Sequence, residues 1–142
     1  MHSFFRPLAF VVLLPALAVF ASCSKDAAAP ASTSTQLLVG QWQLAASTNG
    51  MTGRTSPADP NQRQELVFTA AGQLTTFVNG TAVSTTSYAL QQRQSPLTQR
   101  LETYLVTTPG QMQVAQTVHV DATTLTIAID AYDGPGATYR RM

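Results

Sequence analysis

Few side chains in this sequence could do chemistry, and their spacing limits what each can do. There is one cysteine, Cys23, at the end of an apolar run. Beyond the first residues there is one histidine, His119, in "QTVHVD". It alternates with Val118 and Val120, so on a strand it faces solvent if the valines face inward. A zinc site takes three or four ligands, which one histidine cannot supply. A triad needs a nucleophile positioned against its base, which "HVD" does not offer. Asp130 and Asp133 flank "AY". With backbone carbonyls they could hold Ca²⁺, or Asp133-Gly134 forms a plain turn with the aspartate capping its own backbone. Glu65 and Glu102 fall opposite the apolar positions of their segments and are expected in solvent. Gly134 and Gly136 adjoin Pro135 with no helix after them, unlike a phosphate-binding loop. No catalytic residue, metal site or cofactor is expected.

The thiol has an address instead. "PLAFVVLLPALAVFA" (residues 7–21) is apolar almost throughout, yet shorter than the roughly 20 residues a spanning helix needs. His2 and Arg6 precede it and small residues follow it. This is the pattern of a signal peptide over residues 1–22. "ASCS" would serve as an ordinary secretory site. "FASC" (residues 20–23) resembles the lipobox of bacterial lipoproteins, with Phe20 where leucine is usual. That resemblance implies lipidation of Cys23 and a membrane contact made by two or three acyl chains. Ser24 after the cysteine, where the family's sorting rule reads Asp as an inner-membrane signal, implies the outer membrane. "SKD" is similar to the short charged tags of some surface lipoproteins. A lone cysteine leaves no disulfide for an exported domain.

Removal of residues 1–22 leaves 120 of the 142 residues, enough for one core. Seven cations (Lys25, Arg54, Arg63, Arg93, Arg100, Arg140, Arg141) then balance seven acids (Asp26, Asp59, Glu65, Glu102, Asp121, Asp130, Asp133). They are scattered, so there is no basic face for nucleic acid.

Residues 23–35, from Cys23 through "SKDAAAPASTST", read as a lipidated residue and a flexible tether. The domain is then 36–142. It opens with a strand around Trp42, and residues 48–64 read as a long loop. "ELVFTA", "QLTTFVNG", "TAVSTTSYAL", "RLETYLVT", "MQVAQTVHV", "TLTIAID" and "ATYRRM" follow as strands, rich in Thr and Val. Asn79-Gly80 is the strongest short hairpin signal in the chain. About eight short strands with no helical periodicity predict an all-β, antiparallel up-and-down barrel, which hides its strand edges by closing.

"LLVGQWQL" is similar to the Gly-x-Trp signature of lipocalins, in Gly40 and Trp42. The hairpin from "ELVF" to "SYAL" and the C-terminal "LTIAIDAYDGPGATYRRM" are similar to the lipocalin-like domains of small lipoproteins from Gram-negative bacteria. The resemblance implies an eight-stranded barrel with Trp42 across its closed end and an arginine of the last strand on that ring. Arg141, which shares a face with Tyr139, is the expected partner, with Arg140 the alternative. The chain is shorter than a typical lipocalin and lacks the cysteine pair many of them carry. Leu66, Phe68, Phe77, Tyr88, Tyr104 and Val118 are expected to line the interior, either around a small apolar or amphipathic ligand or filling it. Two functions follow: a lipid-anchored, non-enzymatic binder in the cell envelope, or an envelope lipoprotein with a filled core that holds a partner protein through the 48–64 loop or a strand edge.

Overall fold

The computed structural model describes residues 31–108 and 114–142. The expected signal segment, Cys23 and the first part of the tether lie outside the described residues. The order is α1 (Ala31–Leu38), β1 (Gly40–Thr48), β2 (Thr55–Pro57), β3 (Gln64–Phe68), β4 (Gln73–Val78), β5 (Thr81–Gln94), β6 (Leu101–Thr108), β7 (Gln116–Val120), β8 (Thr124–Ile129) and β9 (Gly136–Arg141). Every strand pairing is antiparallel, and β1 pairs with β9, so β1 and β3 to β9 close into an eight-stranded barrel. Closure gives each of those eight strands a neighbour on both sides, except along the second half of β1, and so hides most of the edges that short, β-branched strands expose.

Two elements depart from the sequence expectation. The stretch 48–64 contains β2, a ninth strand. A register shift at Leu44/Ala46 turns the second half of β1, and β3 pairs with β1 only from Gly40 to Gln43. The edge left at Ala46–Thr48 is taken by β2. Pro57 ends that strand, where a missing N–H donor costs nothing. The second is α1, which begins inside the expected tether. Its sequence, "ASTSTQLL", has weak helical propensity. Tertiary contact supplies the rest: Leu38 is fully buried and the helix lies against β5 and β7.

The turns obey local chemistry. Asn79 and Gly80 both take positive φ, 51° and 79°, as a two-residue hairpin of this hand requires. At the β7–β8 turn, the Asp121 carboxylate accepts the Thr123 and Thr124 N–H groups at 2.7 Å each. Those bonds hold its carboxyl below the usual range.

The core sits at the α1 end. Leu38, Trp42, Leu66, Phe68, Leu74, Tyr88, Leu105, Val118 and Leu125 form one buried cluster. The Phe68 and Tyr88 rings meet edge to face at 5.0 Å, and the Tyr88 hydroxyl donates to the Thr69 carbonyl at 3.0 Å. Trp42 closes this end. Its indole N–H donates to the Leu38 carbonyl at 2.8 Å, and the Arg141 guanidinium lies 4.1 Å over its ring. Arg141 also donates to the carbonyls of Leu37, Val39 (3.1 Å) and Ala122 (2.8 Å). Gly40 has φ +144°, and a Cβ there would meet Arg141 Nη1 at 2.5 Å. The Gly-x-Trp spacing thus has a physical reason: the glycine leaves room for the guanidinium that covers the tryptophan two residues on.

Truncation of Trp42 to Ala is expected to cost about 3–5 kcal/mol of unfolding free energy. Arg141→Lys keeps the charge but loses the fork, and is expected to cost about 1–3 kcal/mol. Urea titration followed by tyrosine fluorescence and circular dichroism measures both. A lysine variant as stable as the parent would show that the fork does not hold this end together.

Candidate functional site

The pleat sorts the expected site residues into two groups. Directly paired residues share a face of the sheet. Trp42 pairs with Leu66, Phe68 with Leu74, and Leu90 with Leu105, which fixes the inward face. Leu66, Phe68, Tyr88 and Val118 are on it and buried. Phe77 is not. It pairs with Glu65, on the outer face, and is only partly buried. Leu74 and Phe77 are three residues apart, an odd separation, so a regular strand sends them to opposite faces.

Tyr104 is also on the outer face, opposite Gln91 and Thr117. It is nonetheless 1% exposed. Its hydroxyl donates to Asp130 Oδ2, and the Arg93 guanidinium lies 4.2 Å over its ring. Ser95, fully buried, donates to Asp130 Oδ1 at 2.9 Å and accepts the N–H groups of Leu97 and Thr98 at 3.1 Å each. Asp130 thus ties the β5–β6 turn to the outer wall across β7, in place of the Ca²⁺ or turn role expected of it. Asp133 remains an exposed turn residue. Burial raises the Tyr104 phenol above its ordinary value, and the bond to Asp130 adds to that shift. Sequence reasoning missed Ser95; its one signal is Ser95-Pro96, a turn-starting pair.

Glu65 is a correction as well. It faces outward as expected but is buried, not solvated. Arg63 pairs with its carboxylate and the Gln41 amide donates to it at 3.4 Å. Glu102 is partly buried, 3.6 Å from Nε2 of the exposed His119. Among the described residues no group of three or more His, Cys, Asp or Glu is placed to hold a metal ion.

The inner face opens at the end opposite Trp42. A cavity of about 230 Å³, open to solvent, is lined there by Gln116, Ile127, Ile129, Ala137 and Tyr139, with Pro135, Ala128 and Gly136 at its edge. Ile127 pairs with both Val118 and Ala137, so these walls continue the core face. Tyr139 and Ile127 pack against the core below them. The β1–β2 turn stands beside this opening: a Cβ on Gly50 would strike the backbone of Asp133 and Gly134. A second cavity, of about 190 Å³, lies on the outer wall among Ser95, Leu97, Glu102, Thr117, His119 and Asp130.

Tyr104→Phe removes one donor from Asp130 and is expected to cost about 1–3 kcal/mol. The phenols of Tyr88, Tyr104 and Tyr139 are all raised above 10.0, by burial first. A raised phenol favours the neutral form in the folded state, so its stabilisation is complete below the ordinary value and is lost as pH climbs through the raised one. The parent is therefore expected to weaken steeply at alkaline pH, and the Phe variant less so. Urea midpoints at about pH 8 and about pH 11 test this; parallel losses in the two proteins would remove Tyr104 from the account.

Comparison of the chain with protein-family models, with curated proteins and with solved structures found no match.

Proposed function

We propose that this chain is a lipid-anchored cell-envelope protein whose barrel binds a small apolar or amphipathic molecule at its open end, without catalysing a reaction on it. The observation that carries the reading is the division of the interior. One end is packed solid around Trp42, and the other keeps a cavity of about 230 Å³ on the same face. Small barrels either fill their interior with side chains or hold one small ligand, and this one does the first at one end only. The volume is below the usual range for drug-sized ligands, so the ligand is small.

The sequence supplies the anchor. The lipobox resemblance around Cys23 makes the N-terminus the membrane contact, and Ser24 directs it to the outer membrane. The first described residues form α1, at the closed end. A tether entering there leaves the open end directed away from its own membrane.

The alternative, a lipoprotein that holds a protein partner, has one observation in its favour. Met51 and Tyr132 are 86% and 95% exposed, on the two turns that meet at Gly50 beside the opening. Large apolar side chains on adjacent turn tips suit a contact surface.

Mass spectrometry of the protein from its own membranes separates these readings. A denatured mass of residues 23–142 plus acyl chains is expected, and Cys23→Ser is expected to abolish the acylation. An extra mass in the native spectrum alone identifies a ligand. Ile127→Trp is expected to fill the cavity and remove that extra mass while the protein stays folded. Retention of the mass in a folded Trp variant would place the ligand elsewhere, and no extra mass in the parent would favour the protein partner.

A further inference from the structure

The charges of this barrel wall are segregated. The barrel strands carry Glu65, Arg93, Glu102, His119, Arg140 and Arg141. The register places five of the six on the outer face. Glu65 is opposite Gln43, which is opposite Arg140; Arg93 is opposite Glu102; His119 is opposite Thr126. Arg141 alone is on the inner face, opposite Trp42, and its guanidinium is taken up by the Leu37, Val39 and Ala122 carbonyls at the closed end.

Among the described residues, the cavity at the open end is therefore lined by no charged side chain. Its ionisable group is the Tyr139 phenol, which burial keeps in the neutral form. Among the described residues, its polar side-chain groups are that hydroxyl and the Gln116 amide, and neither has a hydrogen-bond partner there. A charged group entering such a space gives up hydration and meets no counter-charge, whereas a neutral group loses little if one hydrogen bond replaces the water.

We infer that the open-end cavity selects compact uncharged molecules bearing one hydrogen-bonding group, and rejects carboxylates and ammonium ions of the same size, with Gln116 and Tyr139 making that choice. This rests on the reading that the open end binds a ligand, and it narrows the ligand by charge. Selection is symmetrical: anions and cations are refused alike, because the wall offers neither sign. A longer molecule is admitted only if its charge lies at an end that stays in water.

Three probes of one shape test this: 1-adamantanol, the 1-adamantylammonium ion and adamantane-1-carboxylate, each titrated into the protein at neutral pH by calorimetry and by shifts of the Ile127, Ile129 and Ala137 methyl resonances. The alcohol is expected to bind about a hundredfold or more tighter than either ion. Gln116→Arg is expected to bring in the carboxylate while still refusing the ammonium ion. Equal binding of all three probes would overturn the charge selection and leave the binding reading intact. Binding of the alcohol with no gain of carboxylate in a folded Gln116→Arg protein would overturn the assignment of Gln116. Binding of none would overturn both.

Discussion

The guanidinium of Arg141 over Trp42 is the contact on which the rest of this barrel depends. A helix leaves its last carbonyls without partners, and α1 is too short and too weak in propensity to stand alone. Here the Leu37 carbonyl is met by Arg141 and the Leu38 carbonyl by the Trp42 indole. A cation at a helix C-terminus is favoured by the dipole as well. The same arginine reaches Ala122 in the β7–β8 turn and sits on the strand that pairs with β1. One side chain therefore joins the first strand, the last strand, a turn and the helix, at the place where the sheet closes on itself. Among the described residues no carboxylate is in direct contact with it, and Asp121, in the same turn as Ala122, feels its charge from a distance. Carbonyls and the indole face take that place, with cation–π attraction added to the hydrogen bonds.

Packing at this end is what allows the other end to stay open. Trp42, Phe68 and Leu125 are essentially inaccessible, and together they close the barrel below. Higher in the barrel the inner face passes to smaller residues, Ala137 opposite Ser47 among them. A side chain of that size cannot reach the middle of an eight-stranded barrel. The cavity lies against β7, β8 and β9, where Ala137 is small, and the barrel tolerates it because the stabilising burial is concentrated elsewhere. A cavity within the Trp42 cluster would cost far more.

Strands and turns were legible because their signals are local. Alternation set the strands, and Asn79-Gly80 and Asp133-Gly134 set turns between them. Gly40 and Trp42 marked the closed end, and the face shared by Arg141 and Tyr139 singled out the correct arginine of the pair. What could not be read was side-chain facing where both faces carry apolar residues. In "LETYLVT" Tyr104 and Leu105 are neighbours, so one had to point outward. The outward set proved to be Glu102 and Tyr104, and the shared spacing of Glu102 with Tyr104 was the available clue. Phe77 was misplaced by the same ambiguity. Asp130 and Ser95 lay beyond any local signal, because their bond crosses 35 residues of chain. β2 was hidden because it exists only where β3 leaves an edge of β1 uncovered.

The outer tie at Asp130 and the inner clasp at Arg141 solve the same problem with opposite chemistry. Each secures a segment that does not pack by itself: the β5–β6 turn in one case, α1 in the other. Outside, a carboxylate collects hydroxyl donors from Ser95 and Tyr104. Inside, a guanidinium collects carbonyl acceptors. The arginine suits the inner position because it always carries its charge and its five donors match several fixed carbonyls at once. A carboxylate there would face the same carbonyls as a like dipole and could only be accommodated protonated. That asymmetry leaves the inner wall with a single cation, fully engaged at the closed end, and frees the remaining inward positions to be neutral. Among the described strand residues, the one inward charge is therefore held at the closed end, away from the cavity.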